Sequence, residues 1–311
     1  MWVMLAKRIA SIIPTLFIAS IVVFLIIKLV PGDPATAAAG EGATKELIAQ
    51  LRHQMGLDRP LVEQYWHWLI GVLHGNLGTS LISHESVEHA IARTIPDTVS
   101  VVTLALIFSV LLGIPGGILA GMHPHRAVDR ITTTISSLCI AMPSFWLGLI
   151  LVSALAIQHH FLPATGFVPL SQNFGEFLRH LVLPSFAMGI VGGAEVARQL
   201  RTAMAQALAS DHVRTLRAKG LPPHLVIKHA LKNSSVPLIT ILGLQVNRFL
   251  GATVVIEAVF GITGMGSLVL TATLQKDFTV IQGVILVMAV LVIVTNVIVD
   301  LLYRVVDPRI R

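Results

Sequence analysis

Long apolar runs constrain this chain more than any other feature of its sequence. Six stretches are long and apolar enough to cross a bilayer, which takes roughly 20 helical residues. They are residues 9–27, 99–122, 131–157, 181–200, 236–260 and 280–299. Only 12% of the 311 residues are charged, which excludes an ordinary soluble domain. Because a backbone inside lipid must satisfy its own hydrogen bonds, the sequence predicts an all-α membrane protein with six transmembrane helices.

The charged residues that remain lie mainly at the ends of these runs. The formal net charge is +6, from 22 Lys and Arg against 16 Asp and Glu, a balance that could suggest nucleic-acid binding. Basic residues beside apolar runs instead indicate membrane-flanking loops, so we expect membrane lipid and no nucleic acid as a partner. The single cysteine, Cys139, excludes an intramolecular disulfide and a cysteine-based zinc site.

The first apolar run, residues 9–27, has two interpretations. It could be a secretory signal peptide, because the alanines at 37–39 offer small residues for cleavage. Its 19 uncharged residues exceed the roughly 7–15 of a signal-peptide core, which favours a retained span. We therefore predict a first span within residues 1–30, an extracytoplasmic loop over 31–98 and a five-span core over 99–311.

The distribution of basic residues predicts the side on which each loop lies. Six spans place both termini on one side of the membrane. If that side is the cytoplasm, fourteen Lys and Arg are cytoplasmic and seven are outside, while Arg248 lies within a span. Five of those seven are Lys28 and the four Lys or Arg of the long outer loop that follows it, and residues of so long a loop count weakly in the positive-inside rule. We expect cytoplasmic termini and a cytoplasmic loop over residues 203–235.

The outer loop over residues 31–98 carries helical patterns. Apolar residues recur at helical spacing from Leu47 to Met55, and Gly56 is suited to end that helix. A second amphipathic pattern with one tyrosine and two tryptophans follows Pro60. Both helices are expected on the outer membrane face. They either cap the spans or provide a docking platform for an external protein, and both interpretations remain open.

The segment Asp211–Pro237, DHVRTLRAKGLPPHLVIKHALKNSSVP, is the most basic part of the chain. Seven Lys or Arg and one acid fall between residues 198 and 232. The pattern predicts two short helices, the first capped by the side chain of Ser210 or Asp211 and ended by a left-handed Gly220. Two adjacent prolines suit the first turn of the second helix. This basic elbow is too short for a domain, so we expect it to contact a cytoplasmic partner.

Three charged residues lie inside predicted spans, namely Glu195, Arg248 and Glu257. Charges at such positions are functional candidates by default. Arg248 and Glu257 are nine residues apart, about 13.5 Å along a helix, so they cannot pair with each other. Glu195 and Arg248 could pair, either to fix helix register or to line a polar pathway. Glu257 precedes Phe260 and a glycine-rich turn, where a gate, a partner contact and a structural role are all open.

Glycine and proline positions predict how the spans pack. Gly113, Gly117 and Gly121 fall every four residues in the second predicted span. Such a stripe lets another helix approach closely, although membrane helices are rich in glycine generally. We predict close packing along the stripe. Pro143 lies inside the third predicted span and predicts either a fixed kink or a flexible point.

The sequence carries no catalytic motif that we can identify. Lys219 precedes Gly220 instead of following a glycine-rich loop, so ATP phosphates cannot be held by a Walker A motif. His159, His160 and His180 could meet outside the membrane, but no carboxylate or thiolate pattern supports a metal site there. We expect a chain that is not an enzyme and that binds no cofactor or metal of its own.

Taken in order, these motifs resemble those of the inner-membrane permease subunits of ABC importers, in the dipeptide and oligopeptide group. The basic elbow, DHVRTLRAKG followed by HALKNSSVP, resembles the EAA loop of that family. His212 and Leu216 depart from it, because an aromatic residue and an alanine are more usual there. By resemblance, the residues that couple to an ATPase are Asp211, Arg214, Thr215, Arg217, Ala218, Lys219, Gly220, His229, Asn233 and Pro237.

Further matches cover nearly the whole chain. They include LVPGDP after the first run, MGLDRP and GNLGTS in the outer loop, PSFWLG in the third run, and DLLYR near the C terminus. The order and spacing of these segments carry the resemblance, since each segment alone is weak. The resemblance implies six spans of the type I importer kind, with the elbow as a coupling helix.

It also implies the partners of a multi-pass protein of the cytoplasmic, or inner, membrane. These are a second homologous permease subunit in a heterodimer, two ATPase subunits that bind ATP and Mg, and an extracytoplasmic solute-binding protein. The implied cargo is a dipeptide or oligopeptide, with haem or nickel as alternatives. A stand-alone secondary transporter or channel, using Glu195, Arg248 and Glu257 as a relay, is the rival interpretation.

Overall fold

The computed structural model describes residues 2–29, 32–40 and 42–306, and this part of the chain is almost entirely helical. Within it, β-structure is limited to one isolated antiparallel bridge between Thr79 and Ser86. We number the α-helices in chain order: α1 Trp2–Leu29, α2 Pro34–Ala39, α3 Lys45–Gln54, α4 Leu61–Leu73, α5 Val87–Met122, α6 Ala127–Ala141, α7 Ser144–Leu151, α8 Phe174–Ala209, α9 Asp211–Ala218, α10 Pro223–Asn233, α11 Ser235–Phe260, α12 Met265–Gln275 and α13 Phe278–Val306. The predicted all-α fold class is confirmed.

Four helices of the described chain, α5, α8, α11 and α13, are long and apolar enough to cross a membrane. A fifth candidate is the pair formed by α6 and the segment Ser144–Gln158. The predicted first span falls on α1, a helix of 28 residues whose described apolar stretch is Ile12–Ile26. The six-span count and the side of the termini therefore stay predictions.

The third predicted span, residues 131–157, is broken next to Pro143, where the sequence predicts a kink or a flexible point. The chain breaks at Met142 and Pro143, and the helices on either side are bent by 98°. The cause is local, because the proline ring disfavours the helical region for the preceding residue. Met142 is accordingly extended, with φ −96° and ψ 131°, and α7 starts directly after Pro143. The second part continues as a π-helical segment, Val152–Gln158.

The described chain divides into two compact units. The first comprises residues up to Pro96 together with Thr263–Ile293. Its apolar core joins the start of α5 to α12 and the start of α13, through Val87, Met265 and Val284 among others. A buried hydrogen bond of 2.5 Å from Ser80 Oγ to Asp277 Oδ2 closes the loop before α5 onto the start of α13.

The outer-loop helices lie in this first unit and confirm the predicted pattern. Thr44 Oγ1 accepts a hydrogen bond from Leu47 N at 3.3 Å and so caps α3. Gly56 follows that helix with a positive φ of 65°. Helix α4 begins directly after Pro60. Whether α3 and α4 act as a cap or as a docking platform stays a prediction, as does the division into residues 1–30, 31–98 and 99–311.

The second unit comprises Asp97–Ile262 and the residues from Val294 onward. Helix α8 is its centre, because it packs against α6, α7, α10 and α11. The predicted glycine stripe of α5 also lies against α8. A Cβ added to Gly117 would lie 2.9 Å from the carbonyl oxygen of Ala197, and one added to Gly121 would lie 2.9 Å from that of Arg201. Close packing along the stripe is confirmed.

Candidate functional site

The basic elbow follows the end of α8 and consists of the two predicted short helices, α9 and α10. Ser210 occupies the N-cap position of α9, but the predicted side-chain cap is wrong. Its hydroxyl donates back to the carbonyl of Ala207 at 2.7 Å, and no side chain caps α9. Ser210 thus closes the last turn of α8 instead of opening the next helix.

Gly220 ends α9 in the left-handed conformation that the sequence predicts, with φ 76°. Gly220 N donates to the carbonyl of Arg217 at 2.9 Å, and Leu221 N donates to that of Leu216 at 3.2 Å. This pair of bonds is a Schellman motif, which satisfies carbonyl groups at a helix end. Pro223 then opens α10, where the missing N–H leaves no hydrogen bond unmade.

A narrow apolar face attaches the elbow to the rest of its unit. Val213 of α9 is fully buried, and so is Ala230 of α10. Ala230 packs in a cluster with Leu200 and Met204 of α8, while Val226 is also buried. The elbow is therefore held by few side chains of one face, and its other faces are left to solvent or to a partner.

The residues implied by the resemblance lie mostly on that outward surface. Nine are exposed and Pro237 is half-buried: Asp211, Arg214, Thr215, Arg217, Ala218, Lys219, Gly220, His229 and Asn233. The rings of His212 and His229 meet edge to face with centroids 6.3 Å apart, which brings α9 and α10 together. The structure thus leaves nine of these ten residues exposed on the elbow, and their role in coupling stays a prediction.

Two of the three charges in predicted spans, Glu195 of α8 and Arg248 of α11, meet as the sequence allows. Arg248 Nη1 donates to Glu195 Oε2, which forms an ion pair. Gln245, which the sequence did not single out, donates from Nε2 to the same oxygen at 2.6 Å. The Arg248 side chain is 57% exposed, whereas that of Glu195 is 15% exposed. Glu195, Gln245 and Arg248 form a polar cluster in which Arg248 is the exposed member.

The other two pathway or gate candidates are buried. Glu257 is fully buried and accepts a hydrogen bond from Thr98 Oγ1 at 2.7 Å. Phe260 is also buried, and its carbonyl accepts a hydrogen bond from Gly166 N at 2.8 Å. These contacts anchor the end of α11, where Gly261 adopts a left-handed conformation. A gate role for either residue stays a prediction.

Sequence reasoning missed a second ion pair, between Asp129 of α6 and Arg201 of α8. Arg201 Nε and Nη2 donate to the two carboxylate oxygens of Asp129, at 2.7 and 2.5 Å. The backbone N–H of His125 adds a third bond at 2.8 Å, and His125 has a positive φ of 64°. Asp129 lies 72 positions before Arg201, and no spacing in the sequence connects them.

The residues that the structure describes include no group of three or more His, Cys, Asp or Glu placed to hold a metal ion. The segment between α1 and α5 carries a perturbed carboxyl group. A hydrogen bond from His53 lowers the pKa of Asp58, and the two side chains are 2.6 Å apart. This pair is solvent-exposed and joins the residues that flank the end of α3.

Comparison with known proteins assigns the chain. The family described as binding-protein-dependent transport system inner membrane component matches residues 113–311. The N-terminal family of such membrane components matches residues 1–102. Together they cover both the outer loop and the helices that carry the basic elbow.

Two relatives match the sequence of this chain over nearly their full length. A probable peptide ABC transporter permease protein (y4tP) of Sinorhizobium fredii is 36% identical over all of this chain and all of its own length. The glutathione transport system permease protein GsiC of Escherichia coli K12 is 36% identical over 98% of this chain and 97% of its own length.

A solved structure agrees in fold. The MetNI methionine ABC transporter, in an inward-facing conformation, contains a chain that is 16% identical, with a TM-score of 0.58. The match covers 70% of this chain and 96% of that one. The chain therefore belongs to the inner-membrane components of binding-protein-dependent transport systems, and it is a multi-pass inner-membrane permease subunit of an ABC importer.

Proposed function

We propose that this permease subunit forms half of a translocation pathway for peptides and is driven through the basic elbow by ATPase subunits. The other half is a second, homologous permease subunit. A solute-binding protein delivers the cargo on the outer side. ATP and Mg are bound by the two ATPase subunits, and this chain needs no cofactor of its own.

The exposed basic surface of α9 and α10 is the observation that carries this proposal. Arg214 and Arg217 of α9 and Lys219 directly after it are exposed, and this short helix is anchored by the buried Val213. The helix is closed at its end by the Schellman motif, so it can move as a rigid body. Such a helix suits a partner that must push or pull on α8 and α10. Binding of ATP to that partner would shift an equilibrium between inward-facing and outward-facing states.

The pathway itself is supported by one face of α11. Five residues at helical spacing along this face are exposed: Thr240, Leu244, Arg248, Gly251 and Val255. An arginine near the middle of a span costs about 2.5–3.5 kcal/mol against lipid. A face that carries Arg248 therefore suits water or protein better than lipid. We infer that it faces the pathway shared with the second permease subunit.

The names of two relatives support peptide cargo. One is described as a probable peptide permease and the other as a glutathione permease, and glutathione is itself a small peptide. Both match this chain at the same identity, so they favour small peptides as a class over any one member of it. Neither name favours haem or nickel.

The elbow is tested by reversing one charge. In the complete importer reconstituted in liposomes, Arg217→Glu should abolish most of the stimulation of ATPase activity by loaded binding protein, because α9 would repel the surface that now binds it. Arg126→Glu is the matched control, since Arg126 is also exposed and predicted cytoplasmic but lies outside the elbow. The control should keep its stimulation. Wild-type stimulation in Arg217→Glu would contradict the proposed coupling role.

A further inference from the structure

The polar cluster at Glu195 contains an arginine with unused binding capacity. A guanidinium group carries five N–H donors. Among the described residues, Arg248 donates to a single acceptor, Glu195 Oε2, and the donor is Nη1. More than half of the side chain is exposed. Arg248 therefore has donors left for a further acceptor that approaches from the open side of the cluster.

The position of Arg248 makes such an acceptor necessary. It lies 13 residues after the start of α11 and 12 before its end, which is about 18–20 Å from either end of the helix. Snorkelling to the membrane surface over that distance is beyond the reach of an arginine side chain. A charge held at this depth needs polar partners. Glu195 supplies one of them, and the exposed side must meet water, protein or cargo.

We propose that Arg248 binds a carboxylate group of the cargo as it passes, and that Glu195 and Gln245 position Arg248 for this contact. The inference rests on the proposed function, because it requires peptide to pass along the exposed face of α11. A free peptide carries a carboxylate at its C terminus. Arginine suits this group because its planar fork can donate two parallel hydrogen bonds to a carboxylate.

Glu195 gives the site a second property. A lone arginine in a site of low dielectric constant would hold a carboxylate tightly, and tight binding would stop transport. A pathway needs sites that bind well enough to admit cargo and weakly enough to release it. Glu195 already neutralises part of the Arg248 charge through their ion pair. Cargo must therefore compete with an internal carboxylate, which keeps its residence short.

The test compares peptides that differ only at the proposed contact. Liposomes containing the complete importer are offered a defined mixture of di- and tripeptides, together with the same peptides amidated at the C terminus. Import driven by ATP is measured for each by mass spectrometry. The ratio of free-acid to amide import in Arg248→Gln should fall about tenfold below the wild-type ratio, the size of one charged hydrogen bond. The binding protein is unchanged, so its own preference cancels in this comparison.

Two further variants separate a contact with cargo from a structural role. Arg248→Lys keeps the charge and should retain part of the preference for free acids. Glu195→Gln removes the internal competitor, so free-acid peptides should be held longer, and both the half-saturating concentration and the maximal rate of their import should fall while amide import stays near the wild-type rate. Arg126→Gln makes the same chemical change at an exposed arginine outside the spans and should leave the ratio unaltered.

The outcomes distinguish this inference from the proposed function. If the ratio of free-acid to amide import in Arg248→Gln equals that of the wild type, whether or not both imports fall, the inference is overturned and the proposed function is not. That result would assign Arg248 to helix register or to a carboxylate of the second permease subunit. If the wild-type importer moves neither kind of peptide with ATP, peptide cargo is wrong and the inference fails with it.

Discussion

At the scale of single residues, Gly220 shows how one backbone conformation shapes the elbow. The chain must leave α9 and enter α10 within a few residues, and a left-handed residue makes that turn. A Cβ at Gly220 would meet no atom within 4 Å, so the requirement comes from its φ of 76° and not from crowding. The requirement was predictable, because a glycine after a short basic helix and before two prolines is typical of such an end.

We expect Gly220→Val to weaken docking of the ATPase subunits. A β-branched residue resists the left-handed conformation, and the strain of about 1–2 kcal/mol corresponds to roughly tenfold weaker binding if α9 must unwind to relieve it. Co-purification of the ATPase subunits with the permease measures this effect. Gly220→Asn is the matched control, because asparagine tolerates the left-handed region. Equal recovery of the ATPase subunits with both variants would show that the backbone turn is not required.

At the scale of elements, the packing of α5 on α8 depends on small residues at the points of closest approach. Gly117 and Gly121 meet backbone carbonyls of α8, whereas Gly116 does not. Asp129 and Arg201 add a bidentate ion pair that holds α6 on the same helix. The glycine contacts and the Asp129–Arg201 ion pair thus hold α5 and α6 against neighbouring parts of α8, close to the end that carries the elbow.

We expect alanine to be tolerated at one of two adjacent glycines and not at the other. A Cβ at position 117 would lie 2.8 Å from Leu200 Cβ and 2.9 Å from a backbone oxygen, so Gly117→Ala must separate the helices at a cost of about 1–3 kcal/mol. At Gly116 the nearest atoms would be 3.6 and 3.8 Å away, which is ordinary contact. In thermal unfolding of the purified permease complex, the melting temperature should be clearly lowered by Gly117→Ala and not by Gly116→Ala. Similar melting temperatures would argue against the close approach.

The sequence predicted elements better than the contacts between them. The apolar runs predicted the long helices, and the glycine spacing predicted which face of α5 packs against another helix. The sequence predicted a kink or a flexible point at Pro143 but not a bend of 98°, because the length of an apolar run does not reveal how sharply a proline turns the chain. It also missed Asp129 with Arg201, since pairing over 72 positions depends on how α6 lies on α8. The pairing of Glu195 with Arg248 was predictable, because charged residues in apolar runs are few and a charge inside a membrane needs a polar partner.

At the scale of the whole molecule, this chain is one component of an importer. Four or five candidate spans in the described residues are few for an enclosed polar pathway. One face of α11 exposes Arg248, which is consistent with a surface that a second subunit covers. The family implies ATPase and binding-protein partners, and in our proposal the ATPase subunits supply the driving force for transport.

We expect the chain alone to be inert in liposomes. In our proposal the pathway is half-formed without a second permease subunit, and without ATPase subunits nothing drives a change of state. Uptake of the free-acid peptide mixture should stay at the level of empty liposomes, with or without a proton gradient. Import should appear only when all subunits, the loaded binding protein and ATP are present. Gradient-driven uptake by this chain alone would instead favour a secondary transporter.

Helix α8 carries α9 at its end and Glu195 along its length. Its 36 residues span about 54 Å, and about 35 Å of that length lies between Ala197, which contacts Gly117 of α5, and the tip at Phe174, so a tilt of roughly 5° about that contact would move the tip by about 3 Å. If the glycine contacts with α5 serve as the fulcrum, a small stroke by the ATPases becomes a larger stroke at the far tip. Glu195 lies two residues before Ala197, beside that fulcrum, so its ion pair with Arg248 would be kept while the two ends of α8 move.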